Sequence, residues 1–296
     1  AMSSIGKSGQ VLLFGGSDTN RNLNDTWKFN DNTNIWMKVD IQSSSPWYWM
    51  KARSYHAMAS LGDSGEVLLF GGSNGPGLYF DDTWIFDPST NEWTKNTNSI
   101  SAPSVRAKHG MSPLIGSSDG NVILFGGQTV SITFSPILSS ETWIYDKMKG
   151  QWTYKGQWTQ KHPSSSPSAR MNPTIGSLGG DGKIVLFGGQ TDGLVSSPLD
   201  TWIYDQKMND WTEIKLTPES RVTHLMASLG DRKVLLFGGQ SLVGRRVKEN
   251  CNIGSFFDDT WIYNIETRHW RQVITLSLTP PVRQYSAIAS LEESKD

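Results

Sequence analysis

The sequence predicts an all-β fold of five four-stranded antiparallel sheets packed radially. Three observations carry this. An apolar run ending in Gly-Gly occurs five times, at 11–16, 67–72, 122–127, 184–189 and 234–239. An Asp/Glu-Thr-Trp triplet follows each run, at 25–27, 82–84, 141–143, 200–202 and 259–261. A second Trp lies nine residues beyond each triplet, at Trp36, Trp93, Trp152, Trp211 and Trp270. A fixed period of this kind marks repeat architecture and is read before any single motif.

Each element of the repeat has its own warrant. Strand one is short and rich in small residues, as in 56–61 (HAMASL). Strand two is the VLLF run, whose unbroken apolar character implies burial on both faces. Its Gly-Gly ending permits positive φ and close backbone approach. Strand three alternates, as in Trp84-Ile85-Phe86, placing two aromatics on one face. Strand four carries the second Trp. The turn between strands one and two holds Asp-Gly or Gly-Asp signals, which is hairpin chemistry. The turn between strands three and four is rich in Asn, Asp, Pro and Lys.

A lone sheet with two apolar faces cannot stand in water. Radial packing buries both faces and protects the edges. The FGG…DTW…W pattern resembles the kelch repeat, and it covers the chain in five copies. The resemblance implies a single β-propeller domain over residues 1–296. The expected blades are about 283–291 plus 10–40, 53–97, 106–155, 170–215 and 221–274. Residues 283–291 (RQYSAIASL) copy strand one, as do residues 1–6. The C-terminal copy keeps the Arg that opens strand one elsewhere. It is therefore expected to pair into the N-terminal blade and close the ring.

Composition narrows the function class. The 296 residues carry a net charge of −1, which argues against a basic nucleic-acid surface. No apolar run reaches the 18 or more residues of a membrane-spanning helix. The sole Cys, Cys251, excludes an internal disulfide and a Cys-based zinc cluster. With no apolar leader in the sequence, these features lead to an expected cytoplasmic location.

Several motifs compete with bland readings. Residues 1–8 (AMSSIGKS) approach a phosphate loop, but a strand rather than a helix follows them. Arg53, Arg106, Arg170, Arg221 and Arg283 each open a strand one. They are expected at one mouth of the channel, either as an anion site or as structural partners of the Asp/Glu in the triplets. His56, His109 and His224 follow three of these arginines and read as packing residues rather than metal ligands. Functional residues are sought where the repeat breaks, because rigid scaffolds carry function on irregular loops. Lys38–Ala52 holds Trp47, Tyr48 and Trp49, candidate partner or sugar contacts. The 240–258 loop holds the basic residues Arg245 and Arg246. Trp158 lies in a Gln-Trp-Thr stretch that duplicates 151–153.

Related enzyme propellers do not map. A galactose-oxidase-like copper site needs a Cys–Tyr crosslink, and Cys251 lies in no matching motif. The iron pattern of plant specifier proteins requires Glu eight residues before a His, which is lacking. The expectation is a non-catalytic module without metal or cofactor. It would bind a protein or peptide, acidic in one reading, on the face formed by the strand 2–3 and inter-blade loops. The alternative is a carbohydrate-binding or sugar-mutarotase-like propeller with its pocket at the channel mouth. Neither nucleic acid nor membrane is expected as a partner.

Overall fold

Five antiparallel sheets of four strands build the protein, each in the order one-two-three-four that the repeat implies. A computed structural model describes residues 1–40, 50–97, 101–116, 120–131, 135–147, 156–191, 198–215, 217–241, 256–274 and 280. Blade one comprises β1 (Met2–Ser4), β2 (Gln10–Ser17), β3 (Asn22–Asn30) and β4 (Ile35–Lys38). Blade two comprises β5 (Ala57–Ser60), β6 (Val67–Phe70), β7 (Thr83–Asp87) and β8 (Glu92–Asn96). Blade three comprises β9 (Gly110–Pro113), β10 (Val122–Phe125), β13 (Thr142–Asp146) and β14 (Gln157–Lys161). A small hairpin, β11 (Gln128–Val130) with β12 (Pro136–Leu138), stands in its strand 2–3 loop. Blade four is β15 (Thr174–Ser177), β16 (Lys183–Phe187), β17 (Thr201–Asp205) and β18 (Asp210–Ile214). Blade five is β19 (Leu225–Gly230), β20 (Lys233–Phe237), β21 (Thr260–Asn264) and β22 (His269–Val273).

The first strands touch in succession, β1 with β5, β5 with β9, β9 with β15 and β15 with β19, so they line the channel. Alternation along strand two then gives each blade two apolar faces. Leu12 and Phe14 meet Val67, Leu69 and Phe86 of blade two. The same exchange recurs between blades two and three, three and four, and four and five. A Trp–Thr pair closes each joint. The Nε1–H of Trp93, Trp158, Trp211 and Trp270 donates to Thr26, Thr83, Thr142 and Thr201 of the preceding blade, at 2.9–3.1 Å. Each of these rings also packs against the Phe that ends strand two of that blade, with centroids 5.2–5.6 Å apart.

Two expectations need correction. In blade three the strand-four Trp is Trp158, paired with Tyr145, and not Trp152, which lies outside the described residues. Trp158 is 2% exposed and belongs to the scaffold. Blade three therefore reaches Lys161 rather than residue 155. The duplicated Gln-Trp-Thr offers two registers, and the later one puts its Trp on Phe70 and Thr83. The second correction concerns closure. Strand one of blade one is β1, with Ser3 opposite Leu12, so the position expected for residues 283–291 is filled. A short turn joins β1 to β2 and closes at little entropic cost. Residues 283–291 lie outside the described residues.

Truncating the joint tests this packing. Trp158→Ala is expected to lower unfolding free energy by about 3–5 kcal/mol in urea titration. Trp158→Phe should cost less, because it keeps the ring contact and loses only the bond to Thr83. Equal costs would show that the indole N–H carries the joint.

Candidate functional site at the channel mouth

Strands one and three start on the same face, so the residues that open them meet there. Arg53, Arg106, Arg170 and Arg221 have no exposed side-chain surface. Arg53 grips Asp82 with both terminal nitrogens, at 2.6 and 2.8 Å. Arg170 holds Asp200 in the same way at 2.7 Å for both, and Arg221 holds Asp259 at 2.5 and 3.0 Å. Arg106 pairs with Glu141. Each guanidinium also donates to the first Gly carbonyl of its own Gly-Gly pair (Gly71, Gly126, Gly188, Gly238) at 2.8–3.1 Å. The triplet Trp donates to the same carboxylate, as Trp84 does to Asp82 at 2.8 Å. These arginines are enclosed and ion-paired within the chain, so the anion-site expectation is corrected: they latch strand one to strand three. Arg283, Arg245, Arg246, Trp47, Tyr48 and Trp49 lie outside the described residues.

The latch sets the charge state of its acids. Burial alone would raise the Asp82 and Asp259 carboxyls, but the arginine hydrogen bonds outweigh it and hold both below their usual range. Glu141 is lowered by the same balance.

Two residues beyond each arginine the backbone enters the left-handed region. Tyr55, Lys108, Asn172 and Thr223 have φ of 56°, 59°, 51° and 56°. Such a conformation strains a non-Gly residue, above all β-branched Thr223. Hydrogen bonds around the channel sustain it. The Lys108 N–H donates to the Tyr55 carbonyl at 2.9 Å, and the Asn172 N–H to the Lys108 carbonyl at 2.7 Å. The second Gly of each pair adds an inter-blade bond: the Gly72 N–H donates to the Arg106 carbonyl at 2.8 Å. A Cβ on Gly71 would lie 2.6 Å from that same carbonyl, which is why glycine stands there.

This ring edges a cavity of about 550 Å³ at the channel mouth. Tyr55, Lys108, Asn172 and Thr223 line it, with His56, His109 and His224 beneath. No carboxylate lines it, and Lys108 is its one cationic side chain among the described residues. The Lys108 amine sits 5.2 Å from the Tyr55 ring centroid, and burial lowers its pKa. The histidines are packing residues: His56, His109 and His224 lie edge-on to Phe14, Phe70 and Phe187 at 5.3–5.6 Å. Burial, reinforced by Arg106 and Arg221, lowers His109 and His224 to about 3. The described residues hold no group of three or more His, Cys, Asp or Glu able to hold a metal ion.

At the end of the sheets where the cavity opens, each strand 2–3 loop of blades two to five exposes a large apolar side chain: Leu78, Ile137, Leu199 and Phe256. Tyr55 is 47% exposed among them. Sequence reasoning missed this set. Its one periodic signal was the position two residues past each arginine, where the side chain changes from blade to blade.

A family model described as the KLHDC2/KLHL20/DRC7 Kelch-repeats domain matches residues 1–164 and 119–295. The chain belongs to the kelch-repeat family. Among curated relatives, Adagio-like protein 3 of Oryza sativa subsp. japonica is 27% identical over 245 residues, 78% of this chain and 36% of the relative. An F-box/kelch-repeat protein of Arabidopsis thaliana is 27% identical over 284 residues, 87% of this chain and 52% of the relative. A galactose oxidase of Gibberella zeae is 26% identical over 191 residues, 64% of this chain and 25% of the relative. The chain thus spans about half or less of the relatives it matches. Among the described residues of this kelch chain, no helix is long and apolar enough to cross a membrane.

The kelch latch and its histidines make stability depend on pH. The unfolded histidines take up protons below about pH 6.5, while folded His109 and His224 stay neutral down to about 3. Their contribution to stability is therefore full above pH 6.5 and falls as pH drops below it. The depressed latch carboxylates add a second loss as pH falls below about 4, through their folded values. Melting temperature from pH 8 to 3 should show both limbs, and His109→Gln with His224→Gln should weaken only the upper one, of which His56, also lowered by burial, keeps a part. Asp200→Asn, which strands buried Arg170, is expected to cost about 3–5 kcal/mol at pH 7; a cost near zero would remove the latch as a structural element.

Proposed function

We propose that the protein is a non-catalytic interaction module that binds a partner protein or peptide on the face around the channel mouth. One observation supports this reading: on the face where the cavity opens, the strand 2–3 loops of four successive blades expose apolar side chains, and among the described residues Lys108 is the one cationic side chain lining that cavity. Exposed apolar side chains supply the anchors an interface buries, and a charged group beside them fixes the partner's register. Among the described residues no carboxylate lines the cavity, which favours an acidic or carboxylate-bearing group of the partner at Lys108. Rigid strands below and variable loops above suit recognition without chemistry. A carbohydrate, the alternative ligand, draws on stacking aromatics, and among the described residues Tyr55 is the one non-histidine aromatic lining the cavity.

The test uses the intact chain immobilised on beads, with crosslinked partners quantified by mass spectrometry. Lys108→Glu and a Leu78→Asp/Phe256→Asp pair should each reduce recovery of the specific partners about tenfold, the loss of one hot spot. Met208→Asp, at an exposed turn on the opposite face, should leave recovery unchanged. If all three variants recover the same partners equally well, the channel-mouth face is not the binding surface.

A further inference from the structure

Along strand one, away from the arginines, the mouth cavity of about 550 Å³ gives way to a second of about 90 Å³. Five residues line both: Met2, Met58, Met111, Ile175 and Met226, one from each blade. Each lies opposite a strand-two Leu in the same register, namely Leu13, Leu69, Leu124, Leu186 and Leu236. The five therefore form one level ring, four thioethers and one branched aliphatic chain. Met58, Met111, Ile175 and Met226 are at most 9% exposed. Lys108, Asn172 and Thr223 line the cavity on one side of this ring, and Ser4, Ser60, Ser177 and Ser228 line the one beyond it. The ring is thus an apolar floor beneath the polar groups of the mouth.

A charge without a counter-charge stands above the floor. The half-buried Lys108 amine donates to the Met171 thioether at 3.8 Å and faces the Tyr55 ring. Among the described residues, no carboxylate lines the cavity to neutralise it. A thioether and a ring face compensate a half-buried cation only weakly, so an anion is favoured there. Methionine is unbranched and polarizable, so a floor made of four of them moulds to varied apolar shapes. We infer that the partner's determinant has two parts: a carboxylate that meets Lys108, and a large apolar side chain that seats on the ring of Met2, Met58, Met111, Ile175 and Met226. Lys108 and Met111 are three residues apart, at most about 10 Å of extended chain. In an extended segment of the partner the two groups therefore lie within about three residues of each other. The source is a polypeptide, because Leu78, Ile137, Leu199 and Phe256 offer a surface that a small carboxylate would leave uncovered. Leu, Met and Phe all suit the floor, whereas Ser or Lys would strand a polar group on it. This inference rests on the channel-mouth reading and adds the depth to which the partner reaches.

Isotope-labelled methionine methyls in the intact chain provide the measurement, each signal assigned by its Met→Leu variant. Met2, Met58, Met111 and Met226 report the floor, and Met171 reports Lys108. Met208, 75% exposed in a turn on the opposite face, is the control. The probes are peptides selected from a phage-displayed random library on the immobilised chain, then synthesised with both ends blocked. Selected sequences should place Asp or Glu within about three residues of Leu, Met or Phe. The leading peptide should shift Met171 and the four floor signals and leave Met208 in place. Exchanging its apolar residue for Ser should weaken binding about tenfold or more and remove the floor shifts. Exchanging its acid for the amide should weaken binding about tenfold and restore the free Met171 signal. Shifts at Met171 with none at the floor overturn the inference and leave the channel-mouth reading standing. Shifts at neither, or a library with no enriched sequence, overturn both. Unchanged binding after the acid is exchanged overturns the two-part determinant. Octanoate that shifts all five signals at lower concentration than any peptide makes the ligand a small carboxylate and overturns the polypeptide source.

Discussion

The arginine latch is the interaction on which the rest of the architecture depends. A guanidinium buried without partners would be far too costly, and one paired with a single acid would still leave donors unsatisfied. Here its donors go to a strand-three carboxylate, a Gly-Gly carbonyl of strand two and the backbone two residues earlier, as Arg170 shows with Asp200, Gly188 and Ser168. Three segments distant in sequence are thereby held in one geometry at one end of each sheet. The carbonyl of the same arginine accepts the N–H of the preceding blade's second glycine, so the latch also sets the pitch between blades. Blade one shows the arrangement by contrast: the Trp27 N–H binds one Asp25 oxygen at 2.7 Å, while the other is buried without a partner among the described residues.

The latch explains why the channel mouth is both strained and ordered. Two residues past each arginine the chain turns from the latch into strand one, and only a left-handed residue makes that turn. Glycine would be the unstrained choice. Tyr55, Lys108, Asn172 and Thr223 stand there instead, each with a side chain directed by a backbone conformation it would not otherwise adopt. Strain that the surroundings enforce is a recurrent sign of a functional position. The strain lies in the backbone and the chemistry in the side chain, so this position can vary while the scaffold beneath it stays constant.

The division between scaffold and site accounts for what was legible in the sequence. Strands two and three could be read because burial on both faces imposes unbroken apolar residues, and Trp93, Trp211 and Trp270 because each fills the same joint. Trp158 was misassigned because two Gln-Trp-Thr copies fit one spacing, and only the contacts with Phe70 and Thr83 select between them. The arginines were found but their role was left open, since a guanidinium suits a carboxylate of the protein as well as one from a ligand. Leu78, Ile137, Leu199 and Phe256 were not legible. They sit in loops of unequal length, where no period aligns them, and only the common direction of the strands brings them to one face.

The same logic applies at the channel mouth. A channel-mouth residue is held by its neighbours on both sides, so its position is shared property of several blades. Binding at the mouth therefore needs nothing further from the fold. The Trp158 indole N–H and the Thr83 hydroxyl satisfy each other across two sheets, which holds adjacent blades at the pitch the mouth requires. A ligand at the mouth accordingly needs to meet Lys108 and the apolar side chains of the strand 2–3 loops.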